Sequence, residues 1–233
     1  MSPITHFLVS WAVAEATPGT TRRERVLIAL GGIIPDVDGL GAVPDVVTRL
    51  AGGEPTRYFH AYHHHLHTAF WAAACTAGAF ALASLGSGRE SPWRRRALVA
   101  ALVCLTFHLH LVCDLIGAKG PDGNQWSIPY WLSLAEALRP DPPGWSPPGW
   151  VWSGQWPLND WKNMLLTGAL LLGSGVLAVL RGYSFLEVLS RRLDAVVVTT
   201  LRRRFAPQRL GEAAAEAAAK SPADPPSADP PGE

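Results

Sequence analysis

Histidines and aspartates carry the chemistry this sequence could perform. All eight histidines (His6, His60, His63, His64, His65, His67, His108 and His110) fall within the first 110 residues. Imidazole nitrogen and carboxylate oxygen without thiolate form a donor set suited to zinc, manganese or iron. His110-Leu-Val-Cys-Asp114 has a spacing of four, which on a helix puts both side chains on one face, about 6 Å apart at Cβ. Such a pair can ligate one metal or two adjacent ones, or it can be a hydrogen-bonded lock between helices. It lies in an apolar run, where ionisable groups are costly and functional by default, and this favours ligation. Pro35-Asp36-Val37-Asp38-Gly39 ends a short apolar helix with a turn that can aim two carboxylates at one pocket. The alternative is a loop in which Asp caps the next helix. From His60 to His67 five histidines stand in eight residues. A tract of this kind can be a disordered metal buffer. A helix starting near His63 would instead align His67 with His63 or His64, leaving His60 and His65 solvated. His6, alone in an apolar helix, reads as a packed core histidine.

Three long apolar stretches must position these groups. Thr68–Gly88 carries no charge over 21 residues, Ala97–Ala118 is as long but holds His108, His110 and Asp114, and Met164–Leu180 is uncharged over 17. About 20 apolar residues suffice for a helix to cross the hydrocarbon. Ile4–Ala16 and Val26–Ile34 are too short to cross unaided and are expected to pack against the longer three. The fold class implied is all-α, a polytopic membrane helix bundle. We expect a membrane-embedded domain over 1–182, a basic amphipathic helix over 183–205 and a disordered tail over 206–233.

Composition agrees. Of 233 residues 48% are hydrophobic and 17% charged, below the roughly 25% charged of soluble domains. The mean hydropathy of +0.12 is lowered by the polar last 28 residues. A net charge of +1 gives no nucleic-acid footprint. Cys75, Cys104 and Cys113 are odd in number and widely spaced, fit neither a disulfide framework nor a CxxC zinc site, and read as buried small hydrophobes. The first residues lack the basic segment of a cleavable signal, so insertion by the chain's own spans is expected.

Charge is sorted along the chain. Arg22, Arg23 and Arg25 lie between the two short helices. Arg89, Arg94, Arg95 and Arg96 lie between the first two long stretches, and Arg181, Arg191, Arg192, Arg202, Arg203 and Arg204 follow the last. If each run crosses or half-crosses, all three clusters share one face, which the positive-inside rule makes cytoplasmic. Lys119–Trp161 holds seven of the ten tryptophans together with much Pro and Gly. It reads as an interfacial aromatic belt, or as a rim over a site on the same side. Between Tyr183 and Phe205, Leu186, Leu189, Leu193, Val197, Leu201 and Phe205 recur at helical steps among arginines, the pattern of a helix lying on anionic lipid.

MSPITHFLVSW, GGIIPDVDGLG, YHHHLHTAF, HLHLVCDLIGAKG and WSIPYWLS, in that order, resemble the YdjM-like family of bacterial inner-membrane, metal-dependent hydrolases over roughly Met1–Tyr183. The family is distantly similar to zinc-dependent phospholipase C and the single-strand-specific zinc nucleases, all-helical phosphodiesterases. The resemblance implies His6, Asp36, Asp38, His67, His110 and Asp114 as metal ligands, and so raises His6 from core residue to ligand. Where the family carries an upstream His, this chain has Tyr62, and His63 stands where an Arg is usual. A His63–His67 pair is the substitute. The expected activity is hydrolysis of a phosphoester or other ester of an amphiphilic, lipid-linked substrate. One to three divalent ions, zinc first and manganese or iron next, would activate water, with His108 or His64 as acid catalyst. The expected partners are the bilayer, that substrate, and anionic lipid at the basic helix, with no nucleic acid. A metal transporter or sensor, or a scaffold whose polar pairs only fix helix packing, are the alternatives.

Overall fold

Several helices begin where a side chain satisfies their orphan amides. In the computed structural model the described residues are 1–53, 65–85, 93–117, 128–137 and 160–206. Among them the chain forms eight α-helices and no strand. Helix α1 (Pro3–Ala16) starts with proline in its first turn, and Ser2 Oγ accepts the Thr5 N–H. Helix α2 (Arg22–Gly31) opens on a capping box, in which Thr21 Oγ1 accepts the Glu24 N–H and the Glu24 carboxylate accepts the Thr21 N–H. A 3-10 segment, Ile34–Gly41, carries Asp36 and Asp38 and leads into α3 (Ala42–Leu50). Then come α4 (Ala69–Leu85), α5 (Trp93–Gly117), the short α6 (Leu134–Ala137), α7 (Trp161–Arg181) and α8 (Arg191–Phe205).

The chain divides into two compact units, Met1–Gly173 and Ser174–Glu233, with the boundary inside α7. In the first unit α5 is the axis, packed against α1, α2 and α4. One core cluster joins Ala14, Ile28, Ala79, Ala83, Val99 and Val103. A second, closer to the polar site, joins Ala72, Phe107, Leu111 and Ile128. The small alanines let α4 come close to α5, as small residues do at membrane helix interfaces. The first half of α7 is tied in by polar contacts. Asn163 Nδ2 donates to Gly117 O at 3.0 Å, and Thr5 and Thr167 share a hydroxyl hydrogen bond of 2.7 Å.

Two helices, α5 and α7, are long and apolar enough to cross a membrane. Of the third expected span, Thr68–Gly88, residues 86–88 lie outside the described residues. The described residues show helix α4 over Ala69–Leu85, 17 residues, about 25 Å at 1.5 Å per residue. Thr68 stays outside it, because the Ala69 N–H is taken by Tyr130 O. Apolar side chains face outward. On α5, Leu98, Leu105 and Val112 are exposed seven residues apart, and on α7 Leu165 and Leu172 are 65% and 72% exposed. Repeated apolar exposure along one stripe is what a lipid-facing helix presents.

The second unit departs from the single helix expected over 183–205. Helix α7 ends at Gly182, whose φ of 86° favours glycine. A 3-10 turn, Phe185–Val188, follows, and α8 starts only after Ser190, whose Oγ accepts the Leu193 N–H. Two serine caps, Ser184 and Ser190, break what periodicity alone read as continuous. The tail beyond Ala206 and most of the Trp- and Pro-rich segment lie outside the described residues. The three cysteines are free thiols and half-buried rather than buried.

Candidate metal centre

Four residues from three segments far apart in sequence converge at one end of α5. His6, Asp36, His110 and Asp114 each offer a ligand atom, and these atoms lie within 4.8 Å of one another. His6 sits one turn into α1, placed by the Ser2 cap, in a helix buried around most of its circumference. Asp36 follows Pro35, which has no amide hydrogen to place, at the start of the 3-10 segment. His110 and Asp114 share one face of α5.

Asp114 is the hub. Its Oδ1 lies 2.9 Å from His6 Nε2 and its Oδ2 lies 2.9 Å from His110 Nε2. Asp36 repeats the bridge from the other side, with Oδ2 4.0 Å from His6 Nε2 and Oδ1 3.6 Å from His110 Nε2. The two imidazoles stack with ring centroids 3.9 Å apart. His67 stands at the edge of the group, with Nε2 3.3 Å from His110 Nε2 and 3.5 Å from Asp114 Oδ2. The Met1 α-ammonium donates to Asp114 Oδ1 at 2.7 Å.

The His110 tautomer follows from its backbone partner. His110 Nδ1 lies 2.9 Å from Gly32 O. A carbonyl only accepts, so Nδ1 carries the proton and neutral Nε2 presents a lone pair to the centre. That lone pair faces a carboxylate oxygen at hydrogen-bond distance. His6 Nε2 faces the other oxygen of the same carboxylate, yet it is buried without hydrogen-bond geometry. Acceptor facing acceptor in a buried site requires a cation or extra protons. Donor atoms about 2.1 Å from one ion in a tetrahedral site stand roughly 3.4 Å apart, within the 2.9–4.0 Å range observed. These residues therefore fit a divalent metal by atom type, spacing and burial.

The Gly32 carbonyl reaches His110 because nothing stands between the backbones. A Cβ on Gly32 would collide with Ser10 Oγ, and one on Gly31 would lie 2.6 Å from Thr106 Oγ1. Thr106 Oγ1 in turn donates to Ile28 O at 2.9 Å, fixing α2 to α5. The Gly31–Gly32 pair was visible in the sequence, but its role was not assigned there.

The other sequence candidates fall in different places. Asp38 stands behind His67 rather than in the group of four. Its Oδ2 accepts the Leu66 N–H at 3.0 Å and lies 3.9 Å from His67 Nδ1, an ion-pair distance longer than a hydrogen bond. His63 and His64 lie outside the described residues. Residues 65–68 form a turn and α4 begins at Ala69, so the helical pairing of His63 or His64 with His67 has no helix under it at His67. His65, half-buried, has its imidazole pushed below the usual range by burial. His108 is 200° around α5 from His110. Its Nδ1 donates to Cys104 O at 2.7 Å and its Nε2 accepts from the Tyr130 hydroxyl at 2.6 Å. Tyr130, which the sequence did not single out, thus joins His108 through its side chain and the start of α4 through its carbonyl.

Neither the curated proteins nor the solved structures give a match. A family profile described as YdjM inner membrane protein matches residues 1–184, the stretch that contains every residue of the site. Its description and the two long apolar helices agree on an inner-membrane location. With that match covering well over half of the 233 residues, the chain belongs to the YdjM inner membrane protein family.

Proposed function

We propose that this protein is a membrane-embedded, metal-dependent hydrolase acting on a phosphoester or other ester of an amphiphilic, lipid-linked substrate. The observation that carries the reading is the opposed set of acceptors around Asp114, with the His110 Nδ1 proton committed to Gly32 O. His6, Asp36, His110 and Asp114 would hold the ion, with His67 at the edge and Asp38 as its neighbouring charge. Zinc suits two imidazoles and two carboxylates best, and manganese or iron next. A divalent ion there supplies Lewis acidity and a more acidic water. The protein's own part is to keep the donors preorganised and largely buried.

Position along α5 supports the orientation. Arg95, at the start of that helix, bonds Glu24 and Gly19 O. His110 lies fifteen residues further on, about 22 Å at 1.5 Å per residue. We assign the arginine end to the cytoplasm, which puts the site toward the opposite face. Phe70 and Trp131, whose neighbours Ala69 and Tyr130 are hydrogen-bonded just after His67, are exposed, an apolar approach fitting an acyl or polyprenyl chain.

The test is elemental analysis of detergent-purified protein lacking an affinity His tag, beside an Asp36→Ala/His110→Ala double variant. Stoichiometric zinc, manganese or iron lost in the variant is the expected result, followed by metal-dependent release of phosphate or alcohol from a panel of lipid phosphoesters. No metal after reconstitution with each ion would overturn the reading and leave the cluster as a protonated lock between helices. Metal without turnover would favour metal handling.

A further inference from the structure

We propose that α8 is an in-plane membrane anchor that binds anionic phospholipid headgroups. This helix lies beyond the family-matched residues 1–184. Its inward face is settled by contacts within its own unit. The Asp194 carboxylate accepts from the Ser184 N–H and the Ser184 hydroxyl at 2.8 and 2.7 Å. Arg202 Nε donates to Val179 O at 3.0 Å, and Val198 is buried. The opposite face exposes Leu193, Val196 and Thr200, with Leu193 and Val196 at 54% and 64%. At 100° per residue these three lie within about 60° of one another, with Arg192 and Arg203 on one side of them and Arg204 on the other. An apolar strip flanked by long cations is the arrangement in which strip residues enter the acyl boundary and guanidinium groups reach the phosphates.

The charge is one-sided. In 174–206 the acids, Glu187 and Asp194, are buried, whereas Arg191, Arg192, Arg203 and Arg204 are exposed. The outward surface is therefore purely cationic, complementary to an anionic lipid surface. Depth is also suitable. The Phe185 N–H reaches Ser174 Oγ, seven residues before the end of α7 at Arg181. The turn leading into α8 thus folds back about 10 Å along that apolar helix, which matches the interfacial depth of in-plane helices.

Hydrogen exchange of the full chain tests this in nanodiscs of phosphatidylcholine alone and of phosphatidylcholine with phosphatidylglycerol. Amides of Leu193–Phe205 should exchange roughly tenfold more slowly in the anionic discs. High salt and the Arg192→Gln/Arg203→Gln/Arg204→Gln variant should each abolish the difference, while α5 amides stay unchanged as a control for folding. Leu193→Ser/Val196→Ser should speed exchange in both lipids. Equal exchange in both discs, insensitive to salt and to the arginine variant, would overturn the proposal. Protection that instead rises with protein concentration would also overturn it, in favour of a second copy or another protein on that face. Neither result bears on metal binding, so this proposal and the hydrolase reading fail separately.

Discussion

The two ends of α5 both gather charge, and they resolve it in opposite ways. At the arginine end Arg95 meets Glu24 with Nε and a terminal nitrogen at 2.7 and 2.8 Å, and donates again to Gly19 O. The guanidinium holds the Glu24 carboxyl below its usual range, aided by the Thr21 N–H and hydroxyl. Donors meet acceptors, so nothing from outside is needed. At the histidine end two carboxylates face His6 Nε2 and His110 Nε2, and the His110 nitrogen brings a lone pair because its ring proton is held on Nδ1 by Gly32 O. Closed pairing builds a helix junction; the histidine end gathers ligand atoms that could hold a cation.

The largest expected effect comes from Asp114→Asn, which removes the hub charge. Metal content should fall to background, and the histidines left without it should cost about 3–5 kcal/mol of stability, as when one partner of a buried pair is lost. Elemental analysis and thermal unfolding read both. Full metal retention would break the contrast between the two ends.

Gly32→Ala should be next. The new Cβ meets Ser10 and stands 3.3 Å from His6 O, so the α1–α2 junction must shift. Overpacking costs about 1–3 kcal/mol. Moving the carbonyl that orients His110 should weaken metal affinity about 10- to 100-fold, as losses of such supporting bonds do. Gly168→Ala, where a Cβ meets nothing within 4 Å, is the control and should leave metal titrations unchanged.

The arginine end gives the smallest effect. Glu24→Gln should cost about 1 kcal/mol, since the pair is half-buried and the amide keeps part of its hydrogen bonding. The sign with pH is fixed by the depressed carboxyl. Its stabilisation is complete above the ordinary glutamate value of 4.5, and it is lost as pH falls through the lower folded value. The difference in Tm between wild type and variant should therefore shrink below about pH 4.5. A constant difference across that range would mean that hydrogen bonding alone, without charge, holds this junction.

Much was legible in local patterns. His110 and Asp114 share a helix face because the helical period puts them there, and Thr21 with Glu24 marks the start of α2 by a capping box. The reading failed where local periodicity outran its terminators. Ser190 opens a new helix inside the apparent Tyr183–Phe205 run, and the Tyr130 carbonyl takes the amide that starts α4, so His67 falls in a turn.

The sequence by itself determined an all-helical, apolar chain, its family, and the types of donor available, because composition, period and motif are properties of neighbours along the chain. The tertiary structure alone decided which donors meet. It brought His6 of α1 to Asp114 of α5, set Asp38 behind His67, turned His108 toward Tyr130, and used the bare backbone of Gly32 to fix a proton on His110. Those outcomes depend on how closely α1, α2 and α5 approach, and close approach is set by packing between residues a hundred positions apart.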